Sequence, residues 1–213
     1  MTTLILERHA ESMANLADVF AGHSNHDLSP RGREQAELTA RHIAASYPID
    51  VIWASDLPRT RQTAAPVAEK TGLPVHTDPG LREILAGEWE GMTFDQVAKL
   101  YPAEYEIWFK DIGNAGCPGG ERTADLSERV LAALTRIARE NDGKTVLVVT
   151  HATPVRAAVC AFSGHTLSEM KDIPWVSNAS LTTVEYDEGR WTLKKVSEDE
   201  QLAGLRTALP DNI

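Results

Sequence analysis

Two arginines and two histidines follow closely on short apolar runs of the sequence. Arg8 and His9 begin one residue after such a run, Arg59 follows a second run after a brief turn, and His151 follows a third. An arginine presents a planar fork of donors that matches a phosphate group, and a neutral imidazole can attack phosphorus. The four residues together favour covalent catalysis on a phosphorylated substrate, whereas one Arg-His pair alone would be interpreted as a solvated strand end.

The apolar runs have the composition of buried strands, because β-branched and large aliphatic side chains pack well on a covered sheet. Helical periodicity separates them, so a β-α-β-α-β order is predicted, which favours a parallel sheet. Ligands bind beyond the carboxyl ends of such strands, where these histidines and arginines would lie. The predicted strands are 3–6, 51–54, 73–76, 145–150 and a terminal hairpin of 180–186 with 191–196; the predicted helices are 30–47, 59–71, 93–100, 123–141 and 154–162.

Residues 1–198 are predicted to form a single α/β domain with a three-layer α/β/α arrangement and a mostly parallel central sheet. Residues 13–27 have no sustained period and are interpreted as a ligand-binding loop. The irregular, aromatic stretch at about 84–122 is interpreted as an insertion that covers a pocket. Residues 199–213 are interpreted as a loosely packed C-terminal tail.

The composition excludes several classes of protein. A formal charge of −10 over 213 residues argues against a nucleic-acid partner, because such proteins use clustered Lys and Arg. No apolar run is long enough to cross a bilayer, so no membrane partner is expected. Cys117 and Cys160 stand far apart, which suggests neither a disulfide framework nor a zinc site. A cytoplasmic protein is therefore expected.

A reaction sequence follows from these residue types. His9 would attack phosphorus, with its other ring nitrogen held by a backbone carbonyl group so that a defined nitrogen faces the substrate. Glu83, on a loop after the third predicted strand, could give a proton to the leaving alcohol. Two arginines and His151 would neutralise the charge of the phosphoryl group. Water would then release phosphate.

Five short motifs, in this order, give the chain a clear family resemblance. Residues 8–12 read Arg-His-Ala-Glu-Ser with Asn15 three places on, and 28–32 read Leu-Ser-Pro-Arg-Gly. Residues 55–63 carry Ser-Asp-Leu-Pro-Arg and Gln-Thr, residues 81–91 carry Leu-Arg-Glu and Gly-Glu-Trp-Glu-Gly, and 148–151 read Val-Val-Thr-His. Over residues 2–197 the chain resembles the histidine phosphatase superfamily, which includes the cofactor-dependent phosphoglycerate mutases.

The resemblance implies a phosphoglycerate mutase-like fold and a metal-independent phosphomonoesterase without a cofactor. Its partner would be a small phosphorylated metabolite, and the protein would be a monomer or homodimer. It implies that His9 becomes a phosphohistidine, that Arg8, Arg59 and His151 bind phosphate, and that Glu83 donates and accepts the proton. Further residues expected in the phosphate pocket are Asn15, Ser24 and Ala152.

The chain departs from the family pattern after each histidine, where Ala10 and Ala152 replace the usual glycine. If either backbone had a positive φ, alanine would add strain, and its methyl group would narrow the pocket.

Three alternatives remain open at this point. A bisphosphoglycerate-dependent mutase would use the same residues, although the compact middle segment lacks the charged, tyrosine-containing signature of such enzymes. A regulatory protein would keep the fold without catalysis. The His23-x-x-His26 spacing could indicate a metal site, but no further ligands accompany it.

Overall fold

The computed structural model describes residues 1–208, which are built around a six-stranded sheet. The strand order is β3-β2-β4-β1-β5-β6. Strands β1 to β4 are parallel to one another, β5 is antiparallel to β1, and β6 is antiparallel to β5. The predicted mostly parallel sheet and terminal hairpin are therefore confirmed. The strands are β1 (Thr2–Arg8), β2 (Val51–Ala54), β3 (Val75–Thr77), β4 (Thr145–Thr150), β5 (Leu181–Asp187) and β6 (Arg190–Glu198).

Helices cover both faces of the sheet, which gives the predicted three layers. On β1, Leu4 and Leu6 belong to a core with the helices Thr123–Glu140 and Ala152–Phe162. Ile5 belongs to a second core with the helices Pro30–Ser46 and Pro58–Thr71. Alternate residues of a strand point to opposite faces, so each strand contributes to both cores. The helices are α1 (Met13–Leu16), α2 (Pro30–Ser46), α3 (Pro58–Thr71), α4 (Phe94–Leu100), α5 (Pro102–Lys110), α6 (Thr123–Glu140) and α7 (Ala152–Phe162).

The helix boundaries follow the capping signals of the sequence. The Ser29 side chain caps α2 by accepting a hydrogen bond from the Gly32 amide at 2.9 Å, and Pro30 occupies the first turn. Gly72 ends α3 in the left-handed conformation with a φ of 72°. The third strand begins two residues later and ends one residue later than predicted, and the predicted loop at 13–27 begins with the single-turn helix α1.

The segment between β3 and α6 contains α4, α5 and short 3-10 turns, and part of it lies over the carboxyl edge of the sheet. Trp108 of α5 is buried and packs against the rings of Phe20 and Trp89, with centroids 5.5 and 5.9 Å away. Ile84, Phe94 and Trp108 also line the pocket described below. The aromatic residues of this segment thus contribute to the core and to the pocket wall together.

The prediction of a loosely packed tail is wrong for residues 199–208. Leu202 is 1% exposed and packs in a small apolar cluster with Leu28, Ala36 and Ala179. The Gln35 side chain donates to the Leu205 carbonyl group at 2.7 Å, which fixes the segment against α2. Burial of one leucine outweighs the polar composition on which the prediction rested. The rest of the predicted tail, 209–213, lies outside the described residues.

Within residues 1–208, no helix is long and apolar enough to cross a membrane.

Candidate active site

The register of the parallel strands brings the predicted residues to one edge of the sheet. Arg8 pairs with Thr150 across β1 and β4, and Ala54 pairs with Val149 across β2 and β4, so the three strands end level. The His9 amide then donates to the Thr150 carbonyl group at 2.9 Å. The chain positions after these strands, which hold His9, Ser55 and His151, therefore share one neighbourhood.

His9 is held as a neutral imidazole of defined tautomer. Its Nδ1 lies 2.7 Å from the Ala10 carbonyl oxygen, which can only accept, so Nδ1 carries the proton and Nε2 keeps its lone pair. Burial lowers the pKa of His9 well below its usual range, and the positive charges of Arg59 and Arg8 lower it further. This is the tautomer and charge state that a nucleophile toward phosphorus requires.

The backbone around His9 is fixed by hydrogen bonds from distant segments. The Asn178 side-chain amide donates to the His9 carbonyl group at 2.9 Å, and the Ala179 amide donates to the Arg8 carbonyl group at 3.0 Å. The Ala10 amide donates to the Thr63 hydroxyl group at 3.0 Å. Two distant segments, residues 178–179 and helix α3, therefore hold the backbone that carries the imidazole.

Arg8 and Arg59 are buried guanidinium groups anchored by backbone carbonyls. Arg8 donates to the Val176 carbonyl at 2.6 Å, and Arg59 donates to those of Ser24 and Gly22 at 3.1 and 2.9 Å. Burial lowers the pKa of each arginine to about 10, an effect that the nearby Glu83 carboxylate opposes. The Nε atoms of both arginines are buried and have no hydrogen-bond partner in the described chain.

His151 lies edge-on to His9, with ring centroids 5.1 Å apart. Its Nε2 lies 2.9 Å from the Ser55 hydroxyl group, and its Nδ1 is a further buried nitrogen without a partner in the described chain. Burial, and then the charge of Arg59, lower the pKa of His151 well below its usual range. Arg8 and Arg59 line the pocket with His9, so a bound anion could satisfy their unpaired nitrogens, whereas His151 is fully buried beside His9 and is not among the described residues that line the pocket.

Glu83 stands at the pocket wall with its carboxylate held by backbone donors. Oε1 accepts from the Ile84 amide at 2.8 Å, and Oε2 accepts from the Thr153 amide at 3.4 Å. Its backbone carbonyl group lies 2.8 Å from His23 Nε2. The carboxyl group thus has a fixed position in the same pocket as His9.

Asn15 and Ser24, both predicted near the phosphate, have different positions. Asn15 Oδ1 accepts from the Ser12 backbone amide, the Ser12 hydroxyl group and the Asn178 side chain, which leaves its own amide nitrogen for the pocket it lines. The Ser24 hydroxyl group donates instead to the Ala21 carbonyl, and Ser24 is not among the described residues that line the pocket. Ser24 contacts Arg59 through its backbone only.

The glutamate of the first motif serves the packing of the site. Glu11 is 3% exposed, and its carboxylate accepts from the Ser29 hydroxyl group at 2.6 Å and the Thr207 hydroxyl group at 2.9 Å. Gly32 is required beside it, because a Cβ atom there would lie 1.9 Å from the Glu11 carbonyl oxygen. Glu11 therefore joins the start of α2 to the C-terminal segment.

The His23 side chain of the His23-x-x-His26 spacing contacts the backbone carbonyl group of Glu83 through Nε2. It does not belong to a cluster of acidic or sulfur ligands in the described chain. Among residues 1–208, no three His, Cys, Asp or Glu side chains are grouped so that they could hold a metal ion.

Comparison with known proteins decides the family. The model of the histidine phosphatase superfamily (branch 1) matches residues 4–199. The chain belongs to this superfamily. It is 35% identical over 197 residues to phosphoserine phosphatase 1 of Hydrogenobacter thermophilus, with 92% of each chain covered.

Solved structures agree with this assignment. YhfR of Bacillus stearothermophilus superposes with a TM-score of 0.90 at 28% identity, covering 95% of this chain and 100% of that chain. The α-ribazole phosphatase of Shigella flexneri superposes with a TM-score of 0.81 at 25% identity, covering 92% and 96%. The protein is a histidine phosphatase with a phosphoglycerate mutase-like fold, and it is a phosphoric monoester hydrolase.

The two alanines that replace glycine in this phosphatase are not strained. Neither Ala10 nor Ala152 is among the residues with a positive φ in the described chain. Ala152 begins α7 and lines the pocket, whereas Ala10 is fully buried in the cluster around Leu202. Of the two alanines, only Ala152 adds a methyl group to the pocket wall.

Several residues of the pocket carry no motif and were not predicted from the sequence. Asn178 and Trp175 come from the irregular segment before β5, Thr153 from the first turn of α7, and Thr207 from the C-terminal segment. The small, mostly polar stretch 177–180, at the start of the predicted hairpin, is the signal that the sequence offers for Asn178. Asp18 lies inside the predicted ligand-binding loop at 13–27 and also lines the pocket.

Proposed function

We propose that this histidine phosphatase hydrolyses a small phosphorylated metabolite without a metal, through a phosphohistidine intermediate on His9. The observation that carries the proposal is the His9 imidazole, neutral and with its Nδ1–H bound to the Ala10 carbonyl, beside buried unpaired nitrogens of two arginines and a second histidine. Such a site can bind the phosphoryl group, spread its charge and hold it for attack.

In the first step, Nε2 of His9 forms a bond to phosphorus while the bond from phosphorus to the alcohol oxygen breaks. The carboxylic acid form of Glu83 gives its proton to that oxygen, so the alcohol leaves neutral. Arg8, Arg59 and His151 would donate hydrogen bonds to the phosphoryl oxygens. The products of this step are the free alcohol, phosphohistidine and the Glu83 carboxylate.

In the second step, the Glu83 carboxylate takes a proton from water, and the water oxygen bonds to phosphorus as the bond to Nε2 breaks. Phosphate leaves, and His9 and Glu83 return to their starting forms. The fixed position of the Glu83 carboxylate, held by the amides of Ile84 and Thr153, supports its use in both steps.

The charge of the pocket favours hydrolysis over the mutase alternative. A bisphosphorylated intermediate would need cationic partners for a second phosphate. Among the described residues that line the pocket, the arginines are Arg8 and Arg59 and there is no lysine. Both arginines belong to the one anion site around His9.

The test is to trap the intermediate. Wild-type protein is mixed briefly with a ³²P-labelled phosphoester, denatured at alkaline pH and digested, and the labelled peptide is sequenced. We expect acid-labile label on His9 and none in His9→Ala, whose far-UV spectrum should match the wild type. Folded wild-type protein that carries no label and releases no phosphate would indicate a non-catalytic phosphate-binding protein. Conversion of 3-phosphoglycerate to 2-phosphoglycerate without phosphate release would indicate a mutase.

A further inference from the structure

The pocket has a second polar feature, apart from the anion site, on the wall formed by residues 18–20. This segment joins the insertion, because Val19 forms a bridge with Thr93 and the Phe20 amide donates to the Met92 carbonyl at 2.9 Å. Asp18 lies at the start of the segment and lines the pocket. Asp18 therefore precedes a segment that is fixed to residues 92–93 of the insertion, and it lines the same pocket as His9.

Asp18 has a strained backbone and an unsatisfied acceptor. Its φ is 54°, a left-handed conformation that costs a non-glycine residue on the order of 1 kcal/mol, although Asp and Asn tolerate it best. Its Oδ1 atom is buried and has no hydrogen-bond partner in the described chain. Backbone strain and an unpaired buried acceptor both lower the stability of the fold. Their occurrence together at one pocket residue therefore indicates a function.

The charge around Asp18 is negative. Burial, and then the nearby carboxylate of Asp95, raise the pKa of Asp18, and no positively charged side chain of the described residues opposes this shift. Asp95 does not line the pocket itself. The pocket therefore has two charged regions. Arg8 and Arg59 are cationic and lie around His9, whereas the carboxyl group of Asp18, on the wall formed by residues 18–20, has no cationic partner in the described chain.

A second unpaired acceptor lies in the same lining. Asn178 uses its amide nitrogen on the His9 carbonyl group, while its Oδ1 is buried without a partner in the described chain. Trp108 contributes an unpaired indole N–H, which can meet a neutral oxygen but supplies no charge. The remaining wall is largely apolar, with Phe20, Phe94 and Trp175.

From these observations we propose that Asp18 binds a hydrogen-bond donor, an ammonium or hydroxyl group, on the alcohol part of the substrate. The proposal rests on the proposed function, which places the phosphate between Arg8 and Arg59. A donor on the substrate would satisfy the buried Oδ1 atom, and an ester without one would leave that acceptor unpaired. Discrimination by an unpaired buried acceptor is large, because the site loses the bond without regaining water.

The experiment compares three esters that differ at one carbon. O-phosphoserine carries an ammonium group there, 3-phosphoglycerate a hydroxyl group, and 3-phosphooxypropanoate only hydrogen. The measured quantity is kcat/KM for phosphate release. We expect the wild type to prefer at least one donor-bearing ester over the third by about tenfold or more, and the preferred ester identifies the donor.

Two variants and a matched control test the residue. Asp18→Gly removes the acceptor at a φ that glycine adopts freely, and Asp18→Asn keeps an acceptor but removes the charge. Asp18→Gly should abolish the preference for either donor, whereas Asp18→Asn should abolish it only for the ammonium ester. Asp95→Asn removes a neighbouring charge outside the pocket lining and should keep the preference.

The outcomes separate this proposal from the function on which it rests. If p-nitrophenyl phosphate is hydrolysed but the three esters react alike in the wild type, or Asp18→Gly leaves their ratio unchanged, Asp18 is not the donor site. If Asp95→Asn lost the preference as fully as Asp18→Gly does, the proposal would also be overturned. The preference would then come from the negative electrostatic potential of several carboxylates and not from a bond to Asp18. Failure to hydrolyse any phosphomonoester would instead refute the proposed function.

Discussion

The neutral form of His9 is a consequence first of its burial and then of its charged neighbours, which together lower its pKa. A buried imidazole between two guanidinium groups loses its proton at a lower pH than usual, and the bond from Nδ1 to the Ala10 carbonyl directs the lone pair to Nε2. The arginines that would bind the substrate anion thus also keep the proposed nucleophile unprotonated. Replacing either arginine would alter both properties at once.

Replacement of Glu83 tests its proposed role as an acid. Glu83→Gln keeps the shape and can still bond to its neighbours, but it cannot give a proton to the leaving group. We expect kcat/KM to fall by roughly 10²–10⁴-fold for alkyl phosphates, the usual range of general acid catalysis, and far less for p-nitrophenyl phosphate. The measurement is phosphate release from both ester types. Equal losses on both would show that Glu83 does not act as the acid.

At this scale the sequence predicts the residues that directly follow strands. Arg8, His9 and His151 could be found because a parallel sheet aligns the ends of its strands. Asn178 could not be, because its contact with the His9 carbonyl depends on how an irregular segment folds over a distant part of the chain. Ser24 is predicted as a neighbour of the phosphate pocket; its hydroxyl group donates to the Ala21 carbonyl, a local bond that the motif does not indicate.

Among the elements, helix α6 positions the loop that carries Glu83. Arg129 of α6 donates to the carbonyl groups of Gly80, Arg82 and Glu83 at 3.1, 2.8 and 2.7 Å. It also forms a two-bond ion pair with the half-buried Glu121, which in turn accepts from the Leu85 amide. One guanidinium group therefore fixes both sides of the loop, a geometry that a lysine ammonium group cannot reproduce.

Arg129→Lys is accordingly expected to disturb the position of Glu83 more than the binding of phosphate. We expect kcat/KM for alkyl phosphates to fall by about tenfold, with a smaller effect on p-nitrophenyl phosphate, and a loss of about 1.5–3 kcal/mol in the free energy of unfolding. Arg122→Lys is the control, because Arg122 also makes a two-bond pair, with Asp125, but on the exposed surface. An equal fall for both ester types would indicate a structural role only.

The C-terminal segment shows where prediction from sequence reaches its limit among elements. Helices and strands were predictable because capping residues and hydrophobic periods are local signals. Packing of Leu202 into a gap between the segment after β1, helix α2 and the turn before β5 is decided by the shape of that gap, which no local pattern describes. Thr207 consequently lines the pocket although its part of the sequence is polar and without periodicity.

The stability of the whole molecule should depend on pH in a way set by three buried groups. His9 and His151 are held neutral, so below pH 6.5 the unfolded chain binds protons that the folded protein does not, and stability falls with falling pH. Glu7 is 1% exposed, and burial alone raises the pKa of its carboxyl group well above the usual range. Above pH 4.5 the unfolded chain releases the proton that the folded protein keeps, so Glu7 opposes the two histidines.

Glu7→Gln isolates this contribution, because the amide has a similar shape and does not ionise. The difference in free energy of unfolding between variant and wild type should change in favour of the variant by about 1.4 kcal/mol per pH unit above pH 4.5, until the folded carboxyl group itself ionises. Urea titrations at pH 4, 5, 6 and 7 measure it. A difference independent of pH would show that Glu7 is ionised in the folded protein.

The order of strands also bears on how the chain folds as it leaves the ribosome. Strand β1 is made first, yet its neighbours in the sheet are β4 and β5, which are made more than 130 residues later. Until β4 (Thr145–Thr150) emerges, the apolar strand β1 has no neighbouring strand with which it can form hydrogen bonds. Strand β1 therefore lacks both of its partners through most of the synthesis, and the groups of the proposed active site can meet only after His151 has been made.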